Sequence, residues 1–186
     1  MTLIIVIVVI AIIVGIYIAL YNSLVQLRVH AQESWSQIDV QLQRRNDLIP
    51  NLVSTVKGYS KYEASTLEKV TQLRTELAGV PDDDRAKKME VSNELSGTLK
   101  SLFAVSENYP DLKASTEYQQ LMEELSNTEN KIAYSRQLYN STVAALDAKI
   151  QSFPSNIIAK IHHFTAMEYL QVPAEAQNVP HVSFDD

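Results

Sequence analysis

Leu3-Ile4-Ile5-Val6-Ile7-Val8-Val9-Ile10-Ala11-Ile12-Ile13-Val14-Gly15-Ile16-Tyr17-Ile18-Ala19-Leu20 carries no charge, no proline and no strongly polar side chain. As a helix rising 1.5 Å per residue, this run spans roughly 27 Å, close to the hydrocarbon thickness of a bilayer. The chain beyond it is polar enough to be soluble. The expectation is a helical body carried on one membrane anchor, working at a membrane surface. Three features separate the run from a cleaved signal peptide. No Lys or Arg precedes it, it is longer than an ordinary signal core, and Ala19-Leu20-Tyr21 is a poor cleavage site. Tyr17 and Tyr21 belong at the exit interface, where aromatic rings favour the headgroup region.

Within the run, Ala11, Gly15 and Ala19 recur every fourth residue and so share one helix face. Small residues at that spacing let two backbones approach closely, which drives helix association in lipid. Orientation follows from basic residues near the span ends. Arg28, Arg44 and Arg45 all lie on the body side. This places the short N-terminus outside and the body in the cytoplasm.

Twenty-two acidic residues against sixteen basic ones leave a formal charge of −6 over 186 residues. That balance, without a basic cluster, argues against nucleic acid as a partner. The absence of cysteine is compatible with either side of a membrane. The chain divides into a transmembrane anchor over residues 1–22, a helical bundle over 23–170 and an extended or mobile tail over 171–186. The bundle is long enough for its own core.

Downstream of the anchor, Leu20, Leu24, Leu27, Ala31, Trp35, Ile38, Leu42, Ile49, Leu52, Val56 and Tyr59 recur at helical spacing. The stripe continues through Leu67, Val70, Leu73 and Leu77 and is in phase with the anchor. Pro50 predicts a kink or short break, because proline removes a hydrogen bond and crowds the preceding turn. Gly79 suits a left-handed helix stop, and Asp82-Asp83-Asp84 suits the positive start of a second helix, from about 84 to 106. A third helix is expected from about 112 to 151, and a short last one over 157–170. Short connections between long helices make this an all-α chain: a transmembrane helix followed by an elongated antiparallel bundle of three to four helices, coiled-coil-like in its packing.

Asp39, Arg44, Arg45 and Asp47 precede Pro50, while Glu129, Asn130, Arg136 and Asn140 interrupt the apolar stripe of the third helix. In an antiparallel bundle the two sets face each other as a buried polar layer. Such a layer sets helix register at some cost in stability; the competing reading is a site for a polar ligand or partner peptide. Trp35 lies on the core stripe, and the competing reading makes it an anchor for packing between protomers. A di-metal bundle needs Glu-x-x-His pairs. The sequence has none: His30-Ala31-Gln32-Glu33 is reversed, and His162-His163 are adjacent, about 100° apart on a helix. Neither a nucleophile elbow nor a phosphate-cradling loop is present. These patterns predict a protein that is not an enzyme and binds no cofactor or metal.

Several blocks together are specific: Trp35-Ser36-Gln37-Ile38-Asp39-Val40-Gln41-Leu42-Gln43-Arg44-Arg45, Asp47-Leu48-Ile49-Pro50-Asn51-Leu52-Val53, Glu107-Asn108-Tyr109-Pro110-Asp111, Glu129-Asn130-Lys131-Ile132 and Phe153-Pro154. With them the chain resembles the bacterial LemA family over nearly its whole length. The resemblance implies a single-span protein of the bacterial cytoplasmic (inner) membrane with a helical cytoplasmic bundle, in a family for which no catalytic activity is established. The leading expectation is a scaffold that self-assembles at the lipid bilayer into a homo-oligomer and shapes the membrane or organises membrane partners. The alternative is an adaptor or regulator of a membrane protease, transporter or other membrane protein. Its tail would then dock through Val182 and Phe184.

Overall fold

The computed structural model describes residues 1–58 and 64–171. Among these the chain is all-α, with α1 (Thr2–Lys57), α2 (Ala64–Gly79), α3 (Arg85–Ser106), α4 (Pro110–Ala114), α5 (Thr116–Gln151) and α6 (Ser155–Ile161). The stripe read along α1 is the buried face: Leu24, Ala31, Trp35, Ile38, Leu42, Ile49, Leu52 and Val56 are all inside. Helical periodicity therefore decides both the element and the face that packs. The apolar run at its start is exposed as far as Ala19, with Leu20 half-buried, and α1 is long and apolar enough there to cross a membrane. An exposed surface of Ile and Val suits lipid as its solvent, and a chain carrying it fits a membrane protein.

The chain divides into two compact units, and the division falls across α1 and α5. The first unit comprises Met1–Val40 and Ala133–Tyr169. In it Leu24 packs with Leu146, Ile158, Ala159 and Phe164, flanked by Leu20, Tyr21 and Ile150. Trp35 meets Tyr139 edge-on, with ring centroids 6.2 Å apart. These pairs run α5 antiparallel to α1. The second unit is Gln41–Ile132 joined by the buried Leu170. Its core draws Ile49, Leu52 and Val56 from α1, Leu67, Val70, Leu73 and Leu77 from α2, Val91, Leu95, Leu99 and Leu102 from α3, and Tyr118 and Leu125 from α5.

Four expectations need correction. First, α1 does not stop at Pro50 but continues to Lys57. Proline at 50 leaves the carbonyl of Asn46, four residues earlier, without its helical donor. The Arg74 Nε donates to that carbonyl at 3.1 Å, so α2 supplies what proline removed. Second, Gly79 closes α2 with no positive φ. The left-handed stop is at His163 instead, with φ 53°. There the amide of Phe164 donates to Ala159 O (2.9 Å) and that of His163 to Lys160 O (3.4 Å). This Schellman pattern ends α6 at Ile161, well short of residue 170. Third, the third predicted helix is two, because Ser115 is extended (ψ 123°) between α4 and α5. Fourth, α6 begins at Ser155, two residues before the expected start, following a cis Phe153–Pro154 peptide.

The aspartate run behaves as read. Asp84 Oδ1 accepts the Lys87 amide at 2.9 Å, capping the start of α3. Asp82 accepts from the Lys88 ammonium at 2.7 Å, and that contact holds the Asp82 carboxyl below the ordinary carboxylate value.

Arg74→Ala strands a partly buried carbonyl and should cost about 1–3 kcal/mol in chemical denaturation. In a Pro50→Ala background the residue at 50 regains its amide and satisfies Asn46, so the same substitution should cost clearly less. Equal costs in the two backgrounds would reject the compensation.

Candidate functional site

The polar centre of the second unit is Arg45, the largest fully buried side chain of the described chain. Its position on α1 between Leu42 and Ile49 points it inward, because residues three and four apart share a helix face. A guanidinium presents five N–H donors and cannot shed its charge, so burial forces it to find acceptors. Nη1 donates to Ser96 Oγ (2.8 Å) and to Glu129 Oε1 (2.5 Å). Nη2 donates to the Ser92 carbonyl (3.2 Å) and to Ser92 Oγ (2.8 Å). Ser96 Oγ in turn donates to Glu129 Oε2 at 2.8 Å, so the serine joins the two charges as well as accepting from one. Nε alone has no acceptor.

Three helices thus converge on one side chain: α1 through Arg45, α3 through Ser92 and Ser96, and α5 through Glu129. The ion pair is asymmetric, with Arg45 wholly buried and the Glu129 side chain about one-third exposed at 32%. Water can reach the carboxylate, which lowers the cost of keeping it ionised. Beside the network, Thr128 returns its hydroxyl to the Glu124 carbonyl at 2.8 Å. The arrangement neutralises a buried charge and cross-links helices in one register. Among the described residues, no group of three or more His, Asp or Glu converges as a metal centre requires.

The polar set read from the sequence is only partly brought together. Arg45 and Glu129 meet. Arg44 is exposed and approaches Glu124 at 3.8 Å, and Asn130 faces solvent. Adjacent helical residues point about 100° apart, so 44 and 45, or 129 and 130, do not share a buried layer. Asp39 and Arg136 are half-buried and belong to the first unit. Ser92 and Ser96 were the missing partners. Their signal was two small polar residues four apart, beside the Val91, Leu95 and Leu99 stripe of α3.

Elsewhere, Ala11, Gly15 and Ala19 are all exposed, and a side chain added at Gly15 would meet nothing within 4 Å. Val182 and Phe184 lie outside the described residues. In the first unit, Tyr17 Oη and His162 Nε2 are 2.6 Å apart, and the Tyr21 ring lies 4.6 Å from the His162 ring. Arg28 sits over the Phe164 ring at 5.0 Å. His30 instead pairs with Glu33 on the same helix.

Residues 34–184 match the family model described as LemA family. Protein LemA of Metamycoplasma hominis is 30% identical over 139 residues, covering 75% of this chain and 63% of that protein. Magnetosome protein MamQ of Magnetospirillum gryphiswaldense is 25% identical over 173 residues, 80% of this chain and 64% of its own. Magnetosome protein MamQ 1 of Paramagnetospirillum magneticum is 26% identical over 175 residues, with shares of 81% and 64%. The chain therefore spans less than two thirds of the length of these relatives.

Removing one partner of a buried ion pair costs about 3–5 kcal/mol, since the other charge loses its acceptors or donors. Arg45→Ala should fall in that range by urea denaturation followed through the helical signal. Replacing both members with Leu should recover most of the loss, because no charge is then stranded. A cost for Arg45→Ala within about 0.5 kcal/mol, typical of surface changes, would remove the network from its role in register.

Proposed function

The chain belongs to the LemA family, and from that premise we propose that it is a non-enzymatic, membrane-anchored helical scaffold that assembles with copies of itself in the bilayer. The observation that carries the proposal is the exposed apolar start of α1, with Gly15 unobstructed between Ala11 and Ala19. In lipid, helices associate by close packing rather than by a hydrophobic effect, and a small-residue face permits that approach. The Arg45 network supports the same reading. It builds a body whose helices are held in one register, so that a contact made at one place constrains the rest of its unit. The membrane is the bacterial inner membrane, with the body on the cytoplasmic side, as the placement of Arg28, Arg44 and Arg45 favours. Assembled copies would shape the bilayer or organise other membrane proteins within it.

A second reading, an adaptor for a membrane protease or other membrane protein, is favoured by the reach of the family match to residue 184. That match takes in Val182 and Phe184, the apolar pair expected to dock. Deleting residues 171–186 should then abolish capture of the partner in membrane pull-downs while leaving the helical signal and its thermal midpoint unchanged. Capture by the shortened chain would exclude the tail as the docking element.

For the scaffold, light scattering of the full-length chain in mild detergent should give a protein mass several-fold above the 20.9 kDa of one copy. Gly15→Leu should shift it towards the monomer. A monomeric native chain would overturn the proposal.

A further inference from the structure

Helix α6 is covered on one side only. Ser155, Ile158 and Ala159 are buried, the last two against Leu24 and Leu146. On its other side Ile157 and Ile161, one turn apart, are 52% and 57% exposed, and Phe153, in the turn leading into the helix, is 81% exposed. Three large apolar side chains thus stand out from a seven-residue helix and its entry turn.

Their place in the first unit says what covers them. The segment after α6 is tied to the end of the apolar run: His162 bonds Tyr17 at 2.6 Å, and Tyr21 packs on both His162 and Phe164. Tyr17 lies three residues inside Leu20, the last residue of that run. This puts it about 4.5 Å below the end of the span. The last turn of α5 arrives at the same level, with Ile150 packed in the cluster that holds Leu20 and Leu24. The end of the body that carries Phe153, Ile157 and Ile161 therefore lies at the depth where hydrocarbon gives way to headgroups.

We propose that Phe153, Ile157 and Ile161 insert into the bilayer interface, making α6 a second, non-spanning membrane contact beside the anchor. The chemistry suits a lipid surface. The apolar groups match the upper acyl chains. Exposed Lys160 and the polar tips of Tyr17 and His162 match the headgroups. A second copy of the chain is the other conceivable cover, but a face held at the exit of a membrane span meets lipid before it meets another body. Two contacts restrain rotation of this unit about the span. The inference rests on Leu3–Leu20 being a membrane span.

The chain has no cysteine, so single spin labels can be placed directly. Full-length Phe153→Cys, Ile157→Cys and Ile161→Cys, each labelled in phosphatidylcholine vesicles, are compared with Ile13→Cys in the span and Gln137→Cys on the body. Collision with lipid-soluble oxygen is measured against collision with a water-soluble nickel chelate. The three test sites should favour oxygen over nickel, as Ile13 does, whereas Gln137 should favour nickel. Test sites that behave like Gln137 while Ile13 remains in lipid would overturn the inference and leave the span intact. An aqueous Ile13 would overturn both. Test sites shielded from both reagents, with dipolar broadening between labels, would show a second copy on this face and reject the lipid contact.

Discussion

A permanent charge placed out of water has to be answered by its surroundings, and Arg45 imposes that requirement on three helices at once. Four of its donors are directed at Ser92, Ser96 and Glu129. The apolar contacts around it would tolerate sliding, because Leu against Leu is favourable at many registers. The guanidinium tolerates very little, because a shift of one helical turn removes its acceptors. Apolar burial supplies the larger share of stabilisation, while the charge selects among the packings that burial alone permits.

The same accounting of donors and acceptors explains the backbone where it departs from expectation. Proline inside a helix is costly chiefly because a carbonyl is orphaned and a ring must be accommodated. In α1 the carbonyl is recovered by Arg74 from a neighbouring helix, and the ring of Pro50 is exposed. The end of α6 shows the converse. His163 accepts a left-handed conformation that costs roughly 1–2 kcal/mol for a residue with a Cβ, and in exchange two carbonyls are satisfied and Phe164 is turned into the core. In both places a local rule is overridden by a longer-range contact.

Where α1 leaves its apolar run, the first unit gathers side chains that are each part apolar and part polar. Tyr17, Tyr21, His162, Phe164 and Arg28 form an amphipathic collar where α1 leaves its apolar run. Such a collar is wet at its tips and apolar in its body, the combination that an interface between lipid and water demands. A tightly coupled base would make the first unit an extension of the span rather than a load on a flexible tether. In the proposed assembly through Ala11, Gly15 and Ala19, orientation in the membrane would then be passed to that unit.

Much of this was legible in the linear chain. The apolar run, the helical stripe and its buried face, and the aspartate start of α3 all depend on local periodicity and short-range backbone chemistry, which a sequence carries directly. Arg45 and Glu129 were legible as members of a polar set, because charges stand out on an apolar stripe. Their selection from eight candidates was not, since neighbouring residues differ by about 100° in direction and only packing tells which one faces inward. Ser92 and Ser96, Arg74 on the Asn46 carbonyl, and the left-handed His163 were decided by tertiary structure alone. The serines and Arg74 depend on a donor or acceptor brought from a distant part of the chain, whereas the bonds around His163 are local and it is the packing of Phe164 against Leu24 and Leu146 that reaches across the fold. Local periodicity dictates that the chain is helical and which faces of its long helices are buried. Only the fold decided which polar groups meet, because that requires positions to within a few tenths of an ångström.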